Sequence, residues 1–232
     1  MSWEVPLAEK IERAAGTKSF RFSRPRDLNY LPGQYFFIYI PKEDVGELLH
    51  HFSFSSSPTE KGFIEFTTRI RDSEFKKTLD GMPLGTYARV DEIHGEFTIK
   101  GSMKKVAFIC GGIGITAARS NIRWAADTGA DVDIILLYAN HNLAGAAFRE
   151  ELDGLSGEGL KVVHILSRPE KGWAGPTGHV NAGLIDEYVP DWRERIFFVS
   201  GPPAMVEAVK KVLIEDVGVS EDSVKVENFL GY

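Results

Sequence analysis

The sequence holds one cysteine, Cys110, in 232 residues. A single thiol excludes a disulfide within the chain, a cysteine zinc site and a four-cysteine iron–sulfur cluster, so any redox chemistry must come from an organic cofactor. Cys110 closes the apolar run VAFIC, where a thiol serves as a small buried hydrophobe. Positive charge is also scarce: 27 Lys and Arg against 33 Asp and Glu give a net charge of −6, the wrong sign for a protein that mainly binds nucleic acid. No apolar run is long enough to cross a bilayer, and no metal-ligand spacing, repeat or low-complexity tract is present. The opening MSWEVPLAEKIERAAG lacks the basic start and apolar stretch of a signal peptide, so the expected location is the cytoplasm.

An apolar content of 43% with 26% charged residues is ordinary for a globular chain, and the length suits two domains, each with its own core. Their textures differ. Up to about Lys100 the chain is short, alternating and aromatic: SFRFSR, QYFFIYIP and FIEFTTRI switch sides residue by residue between Pro-Gly and Lys-Gly turns. That pattern predicts a small antiparallel β-barrel, interrupted by one amphipathic helix at DSEFKKTLDGM with Asp72 or Ser73 as its N-cap. After KGSMKK, continuous apolar strands (VAFIC, VDIILLY, KVVHIL, IFFVS) alternate with helical patterns (TAARSNIRWAADTG, AAFREEL, PAMVEAVKKVLIEDVG). This predicts a parallel sheet with helices on both faces. The joint falls near Gly101 to Lys105, dividing the chain into 1–101 and 102–232.

The stretch FICGGIGITAAR joins a buried strand to a helix through glycines. Such a turn lets backbone N–H groups and a helix N-terminus approach a phosphate, and it equally serves to pack a helix tightly onto a sheet. Ligands of parallel sheets bind at the carboxyl ends of the strands, and both this turn and SGPPAM after IFFV lie at such ends.

Four segments in order, LPGQYFFIYI with HHFSFSSSP, then GGIGITAARS, then SGPPAMVEAV, then VENFLGY, resemble the ferredoxin–NADP reductase superfamily over nearly the whole chain. The resemblance implies a Greek-key barrel for FAD, with FMN less expected, followed by an NAD(P)-binding α/β domain. It implies hydride transfer from NADPH or NADH to the flavin, then electron delivery to a separate acceptor such as ferredoxin, flavodoxin, free flavin or ferric iron. Two other readings stand beside it: an electron-transfer subunit of a larger redox complex, and a nucleotide-binding module without turnover.

By that resemblance His50, Phe52 and Ser53 replace the family's Arg-x-Tyr-Ser, in the form similar to the ferric reductase and NADPH oxidase branch. Phe52 would pack against the flavin ring, Ser53 would face its N5, and His50 would take the phosphate-contacting place of arginine. Phe54 and Ser55 continue this segment, and alternation alone allows Phe52 and Phe54 to be plain barrel wall. Thr68, Arg69, Ser73, Phe75 and Lys76 match the flavin-phosphate positions, although Lys76 and Lys77 also read as a solvated face. Gly111, Gly112, Gly114, Ile115 and Thr116 match the nicotinamide turn, with Ala117 where the family has proline. Ser200, Gly201, Pro202 and Met205 match Cys-Gly-Pro-x-x-Met with serine in place of the thiol.

Glu227 and Phe229 match a carboxylate and a ring covering the flavin, Tyr232 lying beyond them; the bland alternative is a surface glutamate and a core plug. Ser167 and Arg168 match a 2′-phosphate pair, to which His141 adds a contact, and the same Ser-Arg-Pro could be a simple strand-end turn.

Overall fold

The computed structural model describes residues 1–157 and 159–229. Its first sheet is β1 (Ser2–Ala14), β2 (Thr17–Ser23), β3 (Tyr35–Lys42), β4 (Gly46–Ser53), β5 (Phe63–Arg69) and β6 (Tyr87–His94). The order is β4-β3-β6-β1-β2-β5 and every pairing is antiparallel. Alternation builds it: along β3 Phe36, Ile38 and Ile40 point inward and are fully buried, while Tyr35, Phe37 and Tyr39 are half-buried outside. The sheet curls until its edges meet. Phe52 of β4 stacks on Phe66 of β5 at 4.2 Å, and just past β4 the Ser55 amide donates to the Glu65 carbonyl. The expected barrel is thus a curled half-barrel whose seam is made by rings rather than by a continuous ladder. Helix α1 (Glu74–Gly81) closes one end, with Ser73 as N-cap and Phe75 and Leu79 pressed into the aromatic core.

The second sheet is β7 (Lys105–Gly111), β8 (Asp133–Asn140), β9 (Leu160–Leu166), β10 (Ile196–Gly201) and β11 (Val224–Asn228), all parallel, in the order β11-β10-β7-β8-β9. Helices α2 (Ile115–Thr128) and α3 (Arg149–Leu155) cover one face. Helices α4 (Ala182–Tyr188) and α5 (Pro203–Lys211) cover the other. Strands buried on both faces must be apolar throughout, which is why they read as unbroken runs. Two helical readings shift. The third helix starts at Arg149 rather than Ala146, because Phe148 takes a left-handed φ of 60° and stops the helix from beginning earlier. The short α4, begun by the Asn181 side chain accepting from the Leu184 amide, has too few turns to show a period in sequence.

From β7 the chain steps outward through β8 and β9, then returns to β10 on the other side of β7. The strand order therefore reverses between β7 and β10, and a crevice opens at their carboxyl ends. No helix among the described residues is long and apolar enough to cross a membrane.

Candidate functional site

The crevice is floored by the glycine turn after β7. The three glycines are bare for different reasons. A Cβ on Gly111 would lie 2.0 Å from the Met205 sulfur, and one on Gly114 would lie 2.5 Å from the Ser200 carbonyl oxygen. These two let β10 pack against the turn. Gly112, at φ 53°, faces the other sheet, where a Cβ would meet the Arg69 guanidinium at 2.5 Å. All three glycines are thus bare against protein, two against β10 and α5 and one against Arg69 of the first sheet.

Across three adjacent strands Cys110, Ser200 and Glu227 stand in one register row. Ser200 Oγ donates to the Gly114 carbonyl at 2.8 Å and lies 3.4 Å from the Cys110 sulfur. Burial pushes the Cys110 thiol up to about 12, which makes it inert. Thr116 Oγ1 donates back to Ile113 O at 3.2 Å, and Ile115 is wholly buried in the core. Gly201 carries the crevice wall into Pro202, which is exposed, and Met205, whose sulfur rests over Gly111.

The first sheet meets this row at one point. Ser53 Oγ, at the end of β4, donates to Glu227 Oε1 on β11 at 2.6 Å. Burial raises the Glu227 carboxyl to about 7, with the Ser53 hydroxyl pulling the other way. His50, His51, Phe52, Ser53, Glu227, Asn228 and Phe229 line a slot here. Phe229 is 8% exposed, and its amide donates to Gly201 O at 2.9 Å. Tyr232 lies outside the described residues.

The order of the rings differs from the expectation for Phe52. His50 stacks on Phe52 at 4.5 Å and Phe52 on Phe66 at 4.2 Å, so Phe52 is the middle of a pile and His50 its outer member. Burial lowers the His50 pKa and keeps its ring neutral, and Nδ1 is engaged locally with the His51 backbone. Phe54 is a correction: it is fully buried between Tyr30 and Phe36 and presents nothing to the slot. Ser55 is another, since its hydroxyl points inward to Glu65 and Thr67. Thr68 is buried too.

A second cleft, of about 340 Å³, is lined by Thr17, Arg69, Arg71, Asn140 and His141 among others. Lys76 is 3% exposed, and its pKa is lowered by burial and then by Arg71 and Arg69. Ser73 spends its hydroxyl as the α1 N-cap, and Phe75 is buried beside His50 and Phe52. Asn140 ends β8 buried, its amide without a well-aligned hydrogen bond among the described residues. Arg69, Arg71 and Asn140 bring hydrogen-bond donors to one cleft, a donor set that fits the phosphates of dinucleotides. Arg71 and Asn140 were not legible in sequence, because neither lies in a motif and only the fold brings them together.

At the far end, Ser167 Oγ lies 2.9 Å from His141 Nδ1, and the exposed Arg168 donates its amide to His141 O at 2.8 Å. The fold also adds Glu170, whose carboxylate accepts from the Leu143 amide at 3.1 Å. No acid follows LLYAN directly, yet one is delivered there from the loop after β9.

Residues 4–99 match the oxidoreductase FAD-binding domain family, and residues 108–211 match the oxidoreductase NAD-binding domain family. A ferredoxin NADP+ reductase from Neisseria gonorrhoeae with bound FAD and NADP superposes with a TM-score of 0.85 at 18% identity, covering 98% of each chain. The chain joins an oxidoreductase FAD-binding domain to an oxidoreductase NAD-binding domain, in the fold of a ferredoxin NADP+ reductase. It is an NAD(P)H-dependent flavoprotein reductase using FAD. NADH-cytochrome b5 reductase 1 of Ajellomyces capsulatus is 29% identical over 220 residues, covering 88% of this chain and 71% of that protein. The glycine betaine monooxygenase reductase subunit of Chromohalobacter salexigens is 28% identical; the match takes in 90% of this chain but only 59% of that protein.

Proposed function

We propose that this reductase takes a hydride from NADPH or NADH at the slot between β4 and β11 and passes electrons to a separate acceptor, a protein or a small molecule. The observation that carries the reading is the 2.6 Å hydrogen bond from Ser53 to Glu227, which joins the two sheets at the slot. When bound, FAD accepts a hydride and releases electrons singly; the protein supplies position and protons. Ser53 offers its hydroxyl at the reacting edge. Glu227, titrating near neutrality, holds or gives up a proton there. Ser200 and Thr116, tied to Gly114 and Ile113, fix the turn on which the nicotinamide lies. Phe229 shields the slot, the neutral His50 ring offers a flat face and Nε2, and Arg69, Arg71 and Lys76 take the phosphates.

Retention of Ser53, Glu227 and Phe229 in one slot argues against a module without turnover. The single cysteine rules out a four-cysteine cluster within these residues. The relatives suggest the kinds of acceptor: those matched include reductases named for cytochrome b5 and for a monooxygenase.

The test is a spectrum. Purified protein, as isolated or after incubation with FAD, is expected to be yellow and to bleach on adding NADPH or NADH under argon; protein that stays colourless with excess FAD or FMN overturns the reading. His50→Ala is expected to raise the FAD dissociation constant about tenfold, measured by flavin fluorescence, while the loaded fraction is reduced at the wild-type rate.

Nucleotide choice is tested at the other end of the cleft. Ser167 and Arg168 are proposed to hold a 2′-phosphate, Arg168 through paired N–H donors. Arg168→Ala should lower kcat/KM for NADPH about tenfold and leave NADH within twofold. Equal losses for both nucleotides would remove Arg168 from this role. Glu170→Gln should move the ratio toward NADPH, since it removes the negative charge facing that phosphate.

A further inference from the structure

Helix α2 leaves the glycine turn with three consecutive polar residues, Arg119, Ser120 and Asn121, at 4%, 0% and 0% exposure. Polar groups buried on a helix need partners, and here each of the three residues finds at least one across the joint with the first domain. Asn121 accepts from the Ile99 amide and donates to Phe97 O, both at 2.9 Å. Ser120 Oγ donates to Ser56 O at 2.7 Å. Arg119 Nη1 donates to Ser55 O at 2.8 Å and to Glu60 at 2.5 Å, and Nη2 donates to Glu60 at 3.0 Å and Glu151 at 2.6 Å. The guanidinium also lies 5.3 Å from the centroid of Phe148, the left-handed residue before α3. Arg13 of β1 sits on the same ring at 4.9 Å.

Burying a guanidinium between two carboxylates is costly unless its geometry is fully used, and this one is used on several sides at once. Its place suggests why. Ser55 is two residues past Ser53, and Thr116 is one helical turn before Arg119. The guanidinium therefore ties the strand end that carries Ser53 to the helix whose first turn carries Thr116. Arg119 lines neither the slot nor the cleft.

We infer that Arg119 is a positioning residue for hydride transfer: by clasping Ser55 O and Glu60 from α2 it sets the alignment of the flavin side of the slot against the nicotinamide turn. This rests on the reading of the slot given above. Alignment is a separate quantity from affinity, and a misplacement of about 1 Å can cost roughly a hundredfold in rate. Arginine is required because lysine offers one compact point charge and cannot fork between Glu60, Glu151 and a carbonyl. A second bond across the same joint, Thr59 Oγ1 to Asp127 at 2.5 Å, is exposed and lies outside the row. It serves as the comparison.

The experiment uses FAD-loaded full-length protein in anaerobic stopped flow, with NADPH and NADH in parallel. Arg119→Lys and the milder Glu60→Gln are expected to keep wild-type FAD content and nucleotide dissociation constants while flavin reduction at saturating nucleotide slows at least tenfold. Photochemically reduced flavin should be reoxidised by ferricyanide at the wild-type rate, because that step needs no nicotinamide alignment. Asp127→Asn should match wild type throughout. The proposal is overturned if both variants are reduced at the wild-type rate, if slower reduction is matched by loss of FAD or of nucleotide affinity, or if Asp127→Asn slows reduction equally. Wild-type protein that binds no FAD, or is not reduced by either nucleotide, would overturn the reading of the slot itself.

Discussion

Glu227→Gln is expected to slow flavin reduction about a hundredfold at saturating nucleotide and to remove a transition near pH 7 from the rate profile. The magnitude is that of losing a placed proton donor or acceptor. The pH follows from the environment: burial beside Ser53 raises the carboxyl to about 7, so the wild-type group changes charge within the working range and glutamine does not. The same shift has a stability consequence of fixed sign. A carboxyl raised in the folded state holds a proton that the unfolded chain has already lost. Its contribution is complete below the ordinary carboxylate range and is lost as pH rises through about 7. Urea midpoints at pH 5 and pH 8 should therefore differ more for wild type than for Glu227→Gln, with wild type losing the larger amount at pH 8. Reduction of the variant at the wild-type rate would take Glu227 out of the chemistry, leaving it a buried strand residue.

Phe229→Ser is expected to tighten nucleotide binding by about tenfold to a hundredfold, the equivalent of the ~1.5–3 kcal/mol held by burying one phenylalanine ring. Phe229 is 8% exposed over the slot, so a nicotinamide that stacks there must first displace the ring. With serine in its place the long-wavelength charge-transfer band on mixing with nucleotide should strengthen, and discrimination against NADH should relax. Deleting Leu230 to Tyr232 should change none of these. If the truncation alters affinity and Phe229→Ser does not, the covering ring is Tyr232.

The residues whose place in the fold could be read from sequence are those fixed by local spacing or by the resemblance. Gly111, Gly112 and Gly114 sit between a strand and a helix wherever the strand is drawn. Ser200 and Glu227 lie at the ends of β10 and β11, and a parallel sheet gathers such ends into one crevice, whereas Ser53 ends β4 of the antiparallel sheet and is placed there by the resemblance. Phe54 and Ser55 were placed by the resemblance, whereas the fold turns both inward, Phe54 between Tyr30 and Phe36 as the barrel wall that alternation allowed and Ser55 toward Glu65 and Thr67. Arg119 was invisible for a different reason. In sequence it looks like an ordinary charged helix position, and its burial depends on Glu60, 59 residues earlier, and Glu151, 32 residues later. Glu170 escaped notice in the same way, since its place beside the β8 loop is set by the pairing of β8 with β9.

The bond between Ser53 and Glu227 closes a loop of 174 residues. Contacts of such long separation are made late in folding, because the entropy of closing the intervening chain is recovered only after shorter-range pairings have drawn the ends together. Either sheet can acquire its ladders and core before that contact exists. The bond therefore joins two bodies that each keep their own ladders and core, so the seat proposed for hydride transfer is a joint between them rather than a pocket inside either.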